Sequence, residues 1–246
     1  MNLDWKALLA ARESESHFVV EGRLAVERLQ QSSYFVEKTI VIGTDLSRDE
    51  ASSLLGFHFH RSHLAIARKP ANPSLDEVSR GTVVVLPEIA DPGNLGTIIR
   101  NTAALGGSGI LLGKGASPWN AKAIRASAGA LFQMPVRCSP DLHRDLISLT
   151  SSHFLVGTSL SSGSRPLFEW APASKPTALL LGPEDFGLGS DLEALCDQLL
   201  HIPMSRSVDS LNVASASAIF LHHFRQPDGP HPGECETDGL SALPNN

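Results

Sequence analysis

The chain is predicted to be an α/β protein with a mostly parallel sheet covered by helices on both faces. Two observations carry that expectation. Short, almost wholly apolar strands recur beyond residue 80, and helical stretches lie between them. The strands are residues 82–86 (TVVVL), 109–112 (GILL), 154–157 (FLVG), 177–181 (TALLL) and 199–202 (LLHI). Helices are expected over 95–105, 120–131, 142–151, 191–198 and 211–224. In such a sheet ligands sit beyond the carboxyl ends of the strands, where loops meet helix starts.

Before residue 80 the pattern changes. A helix over 22–29, a short strand over 39–43, a helix over 48–55 and a strand-like alternation over 57–60 (FHFH) describe a small α/β module. The run Lys69-Pro70-Ala71-Asn72-Pro73-Ser74 breaks any helical or strand pattern and reads as a linker. The expected organisation is a small module over 1–75, a larger domain over 80–225 and a disordered acidic tail over 226–246, which is rich in proline and glycine.

Charge bounds the function classes. The 246 residues carry 20 Lys+Arg and 26 Asp+Glu, a formal net charge of −6. That total argues against a protein holding nucleic acid chiefly through a basic surface. The tail, however, holds 4 acidic residues and no basic ones, so residues 1–225 carry 20 positive against 22 negative charges. Near-neutral balance allows local basic patches, with Arg23, Arg61, Arg68, Lys69 and Arg125 as candidates. No stretch approaches the apolar length of a membrane span, and Asp4, Lys6, Glu13 and Glu15 interrupt the region where a signal peptide would be apolar. A cytoplasmic protein without membrane contact is expected. Cys138, Cys196 and Cys235, odd in number and scattered, read as reduced thiols.

Common signatures are missing. No G-x-G-x-x-G stands at a strand-to-helix junction, and Gly113-Lys114 lacks the spacing and following hydroxyl of a P-loop. Residues 157–161 (GTSLS) fail the nucleophile elbow at the last position. His58, His60 and His63 lack a carboxylate or cysteine cluster, so no metal is expected.

Three segments stand out instead. In the first, residues 86–106, Asp91-Pro92-Gly93 reads as a turn, Asn94 as a helix N-cap and Gly106 as a stop. Leu95, Ile98, Thr102 and Leu105 share a face that leaves Arg100 opposite, beside the small residues Gly96, Ala103 and Ala104. Arg100 is either a solvated helix arginine or a group open to a ligand or second chain. The second, residues 179–189 (LLLGPEDFGLG), runs a buried strand into a loop with three glycines and the carboxylates Glu184 and Asp185. An ordinary acidic helix start would look similar. In the third, residues 201–220, a strand ends at Pro203. Ser210 then sits where it could cap a helix of small and apolar residues that includes Asn212.

In this order the segments resemble motifs 1, 2 and 3 of the SpoU/TrmH branch of the SPOUT methyltransferases. The likeness rests on N-x-G-x-x-x-R at Asn94, Gly96 and Arg100, on G-P-E-x-x-G-L over 182–188, and on I-P-M at 202–204 followed by S-L-N-V at 210–213. It covers about residues 82–224. Residues 17–64 are more weakly similar to the small substrate-binding domain that many members carry. Asp185 and the Arg206-Ser207 loop depart from the family's usual glycines, which leaves the shape of those loops open.

The resemblance implies a Rossmann-like sheet with a C-terminal trefoil knot, a homodimer with its sites at the interface, and transfer of a methyl group from S-adenosylmethionine to a ribose 2′-hydroxyl of RNA. Carried over residue by residue, it points to Thr158, Gly182, Ile202, Met204 and Leu211 for the cofactor. For chemistry it points to Asn94, Arg100, Glu184, Ser210 and Asn212. A guanidinium is a poor base because it stays protonated in proteins, so Arg100 is expected to stabilise a developing alkoxide or grip a phosphate. The stretch 122–130 (KAIRASAGA) is similar to one in members acting on ribosomal RNA, which favours rRNA over tRNA. The competing reading is a non-catalytic RNA-binding or ribosome-assembly protein with the same fold.

Overall fold

Glycine and proline punctuation divides the chain into two sheets. The computed structural model describes residues 4–171, 174–183, 186–205 and 210–225. The expected disordered tail, Glu184, Asp185, Arg206 and Ser207 lie outside these residues.

The first elements are α1 (Trp5–Ala11), β1 (His17–Glu21), α2 (Arg23–Gln30), β2 (Val36–Val41), α3 (Arg48–Leu55) and β3 (His63–Arg68). The strands form an antiparallel sheet in the order β1-β3-β2. Ser47 and Glu50 close a capping box at α3, so that helix starts where its sequence dictates. The expected strand over 57–60 is not one. Phe59 is buried and Phe57 exposed in a loop, and the strand begins at His63. Side chains alternate across the sheet: Val19, Leu64 and Ile66 face α1 and α3, whereas Phe18, Val20 and Ala65 face the rest of the molecule.

Between the sheets, α4 (Leu75–Val78) is a single turn capped by Ser74, directly after the run that reads as a linker. Val78 is fully buried, and the chain at Gly109 packs so closely on it that a Cβ there would lie 2.6 Å from the Val78 carbonyl oxygen.

The second part comprises β4 (Val83–Ile89), α5 (Pro92–Ala104), β5 (Gly109–Gly115), α6 (Ala121–Ala126), β6 (Val136–Cys138), α7 (Leu142–Leu149), β7 (Phe154–Thr158), β8 (Arg165–Pro166), β9 (Thr177–Leu180), α8 (Ser190–Glu193), β10 (Gln198–His201) and α9 (Val213–Phe224). The strands form one parallel sheet in the order β6-β5-β4-β9-β7-β10-β8. Along β4, Val84 and Leu86 face a cluster with α5 and α9, while Val83 and Val85 face one with α7. Both faces are therefore covered, and the apolar strands follow from that burial.

Two helices are shorter than their periodicity suggests. Ala128 (φ 50°) and Gly129 (φ 85°) end α6, and a 3-10 turn over Ala130–Phe132 follows. The stretch 191–198 holds only α8 before β10 begins. The two parts share a core: Phe18 stacks near Trp119 at 5.0 Å between ring centroids, and Tyr34 lies 5.5 Å from Phe132. Burial raises the Tyr34 phenol well above its ordinary range.

Candidate active site

Beyond the carboxyl ends of β9, β7 and β10 lies a cleft of about 540 Å³, closed on one side by the start of α9. Thr158 reaches it from the end of β7, Gly182 from the loop after β9, and Ile202 and Met204 from the segment after β10. Ser210 and Leu211 lead into α9, whose Val213, Ala216 and Phe220 complete that wall. Three adjacent parallel strands thus deliver their loops to one place. All five residues expected at a cofactor line this cleft.

Glycine is required where the loop folds on itself. A Cβ at Gly182 would sit 2.5 Å from the carbonyl carbon of Gly187 and 2.6 Å from the amide nitrogen of Leu188. Gly187 has φ +64° and donates its N–H to the Pro183 carbonyl at 3.0 Å. The Thr158 hydroxyl donates to Leu180 at 3.1 Å, tying β7 to β9 at the rim. Apolar lining comes from Leu181, Leu188, Leu200, Ile202 and Phe220.

The residues expected in chemistry are only partly brought together. Asp91, not Asn94, caps α5: its carboxylate accepts from the Asn94 amide at 2.8 Å, and Pro92 occupies the first turn. The Lys122 ammonium and then the Asn94 amide hold the Asp91 carboxyl below its usual range. Likewise Asn212, not Ser210, caps α9, its side-chain oxygen accepting from Ala214 at 3.0 Å and Ser215 at 3.3 Å. Its amide nitrogen donates to Asn94 Oδ1 at 3.0 Å, which joins the start of α5 to the start of α9. Arg100 is exposed on α5 and outside the lining of the cleft, with no hydrogen-bond or ion-pair partner among the described residues. Glu184 falls outside the described residues.

Gly96 does not open space beside Arg100; it is buried against α6, where a Cβ would lie 2.2 Å from the Ala123 carbonyl oxygen. Sequence reasoning also missed Asn101, whose Nδ2 donates to the Ala214 carbonyl at 2.8 Å and to Ser217 Oγ at 3.0 Å. A signal was available: Asn101 follows Asn94 by seven positions, two helical turns on one face. Ser159, Pro183 and His201 also line the cleft unanticipated, with His201 held by Ser164 Oγ at 2.9 Å. Among the described residues, no three His, Cys, Asp or Glu side chains gather to hold a metal. No helix there is long and apolar enough to cross a membrane.

The parallel sheet with helices on both faces and a cleft at its strand ends defines the α/β class of this protein. Residues 81–222 match the SpoU rRNA methylase family, and the chain belongs to that family of tRNA/rRNA methyltransferases. An uncharacterized tRNA/rRNA methyltransferase of Mycobacterium bovis is 32% identical over 240 residues, covering 87% of this chain and 82% of its own length. The 23S rRNA (guanosine(2553)-2′-O)-methyltransferase RlmP of Bacillus subtilis is 30% identical over 244 residues, covering 90% and 94%. Among solved structures, the AdoMet-bound rRNA methyltransferase from Sinorhizobium meliloti superposes with a TM-score of 0.78 at 27% identity, covering 89% and 92%. The SpoU methyltransferase AviRb from Streptomyces viridochromogenes, in complex with AdoMet, gives 0.76 at 25% identity, covering 91% and 97%.

Proposed function

We propose that this protein is an S-adenosylmethionine-dependent RNA methyltransferase acting on a ribose 2′-hydroxyl, with ribosomal RNA as substrate. The observation that carries this reading is the convergence of Thr158, Gly182, Ile202, Met204 and Leu211 on one cleft at the carboxyl ends of adjacent parallel strands. Its size and apolar walls suit an adenosine, and the close Gly182–Gly187 contact holds the loop after β9 in a tight fold at the cleft. The 2′-O activity named for RlmP supports the choice of the ribose hydroxyl, and its 23S target supports rRNA.

When bound, S-adenosylmethionine supplies a methyl group on a sulfonium leaving group. The protein's own task is to place the hydroxyl in line and manage its proton. Arg100 carries a fixed positive charge with open donors and is assigned to stabilise the developing alkoxide or hold the neighbouring phosphate. Asn94 and Asn212 fix the meeting of α5 and α9 beside the cleft, and Ser210 stands at its lip. Glu184 is assigned to orient the loop after β9. Arg100 lies outside the lining of its own chain's cleft, which supports a homodimer whose second chain completes the site. A C-terminal trefoil knot belongs to the same reading. Family membership supports it, as does a strand order in which β9 and β10 flank β7. Residues 1–75 are assigned to RNA substrate binding, and the cytoplasm is the compartment proposed for the activity.

The test is transfer of labelled methyl from S-adenosylmethionine to naked rRNA. Arg100→Ala is expected to lose at least about 100-fold in turnover, the scale of removing one transition-state donor, while cofactor binding is retained. A protein that binds no S-adenosylmethionine at millimolar concentration would sink the reading.

A further inference from the structure

Where the two sheets meet, one buried carboxylate faces three arginines. Glu21 ends β1, and Gly22 (φ +97°) then turns the chain into α2, leaving the side chain 2% exposed. Arg12, which ends α1, places Nη2 3.1 Å from Glu21 Oε1. Arg61, just before β3, places Nη1 3.8 Å from Oε2 and donates to the Glu21 carbonyl at 3.3 Å. Arg125, in the last turn of α6, donates to Oε2 at 3.2 Å. The first two belong to the three-stranded part and the third to the methyltransferase part.

A structural lock between the parts would need one guanidinium. Here three positive charges face one negative charge, and the three side chains remain 32%, 43% and 35% exposed. The geometry is also poor for a purely structural bridge. Glu21 Oε1 is close to Arg12 but receives no aligned hydrogen bond, and the buried Arg12 Nε has no hydrogen-bond partner among the described residues. Arg12 is instead held by the Phe57 ring, with its guanidinium carbon 4.4 Å from the centroid. Glu21 therefore gathers three planar forks without neutralising them, and much of their donor capacity stays turned to solvent.

We propose that Arg12, Arg61 and Arg125, gathered by Glu21, form a binding site for a backbone phosphate of the RNA substrate at the seam between the two sheets. Guanidinium forks match phosphate geometry, and Glu21 acts as a positioning residue that keeps three like charges together. The near-neutral composition is consistent with such a local site rather than a broad basic surface. The proposal rests on the RNA reading above.

The test is filter binding of radiolabelled naked rRNA between about 50 and 200 mM salt. Arg61→Gln and Arg12→Gln are each expected to weaken binding about fivefold, the upper range for a partly exposed charge pair. Each should also flatten the slope of log affinity against log salt by about 0.7–0.9, the share of one phosphate contact. Arg61→Lys, which keeps the charge, should restore most of the slope. Affinity for S-adenosylmethionine should be unchanged in all three. Wild-type protein that binds rRNA, with both Gln variants matching it in affinity and slope, overturns the phosphate site alone. Wild-type protein that binds S-adenosylmethionine but no rRNA overturns the RNA reading as well.

Discussion

The amide of Asn212 donates to the side-chain oxygen of Asn94 at 3.0 Å across 118 residues of sequence. The orientation of both amides follows from their neighbours. Asn212 Oδ1 is already occupied by the N–H groups of Ala214 and Ser215, so its nitrogen must donate and Asn94 must accept. One side chain thus caps α9 and ties that helix to the start of α5, beside the cleft.

Those two roles can be separated. Asn212→Asp keeps an acceptor for the cap and should hold stability within about 0.5 kcal/mol, whereas Asn212→Ala should lose about 1 kcal/mol. Both variants lose the donor to Asn94, so both should lower methyl transfer by similar factors. Urea unfolding beside an activity assay checks this, and equal destabilisation of the two variants would contradict the cap.

Gly182→Ala should weaken S-adenosylmethionine binding at least about tenfold, because its Cβ would push the Gly187–Leu188 backbone out of the loop. Gly163→Ala, where a Cβ meets nothing within 4 Å, should leave binding as it is. Titration calorimetry on both proteins decides between a packed loop and a tolerant one.

Gly96→Ala should cost about 1–3 kcal/mol by overpacking α5 against α6. Chemical denaturation measures it. A neutral substitution would mean that α6 shifts easily and that the glycine serves some other end.

His153 is buried, with Nε2 3.2 Å from the Gly81 carbonyl and Nδ1 2.8 Å from Ser152 Oγ. Burial lowers its pKa, against a smaller opposing effect of the carbonyl hydrogen bonds. The folded protein therefore protonates this ring less readily than the unfolded chain does. The stability it contributes is present above about pH 6.5 and is lost as pH falls below that value. His153→Gln should flatten the fall in unfolding free energy below about pH 6.5. An unchanged slope would show that other groups cause it.

The large parallel sheet was legible because buried strands on both faces leave unbroken apolar runs such as 82–86 and 177–181. The small sheet was harder. β1 and β3 carry apolar residues on both faces, and the alternating Phe57 to His60 run imitates a strand while sitting in a loop. The start of α5 was misplaced by one competing rule: Asp91-Pro92-Gly93 fits a turn, yet proline at a first helical position fits a capped start equally well. At the site, the five cofactor candidates and Ser210 share the cleft, and Asn94 meets Asn212 beside it. Arg100 does not join them, because spacing along α5 sets its helix face but not what lies opposite that face.

Mapping ribose 2′-O-methylation across total RNA, from cells with and without this protein, tests the central claim most directly. One rRNA position is expected to lose its 2′-O-methyl group without the protein and to regain it on expression of the wild type but not of Arg100→Ala. An unchanged map, or a lost methyl group that proves to lie on a base, would contradict it.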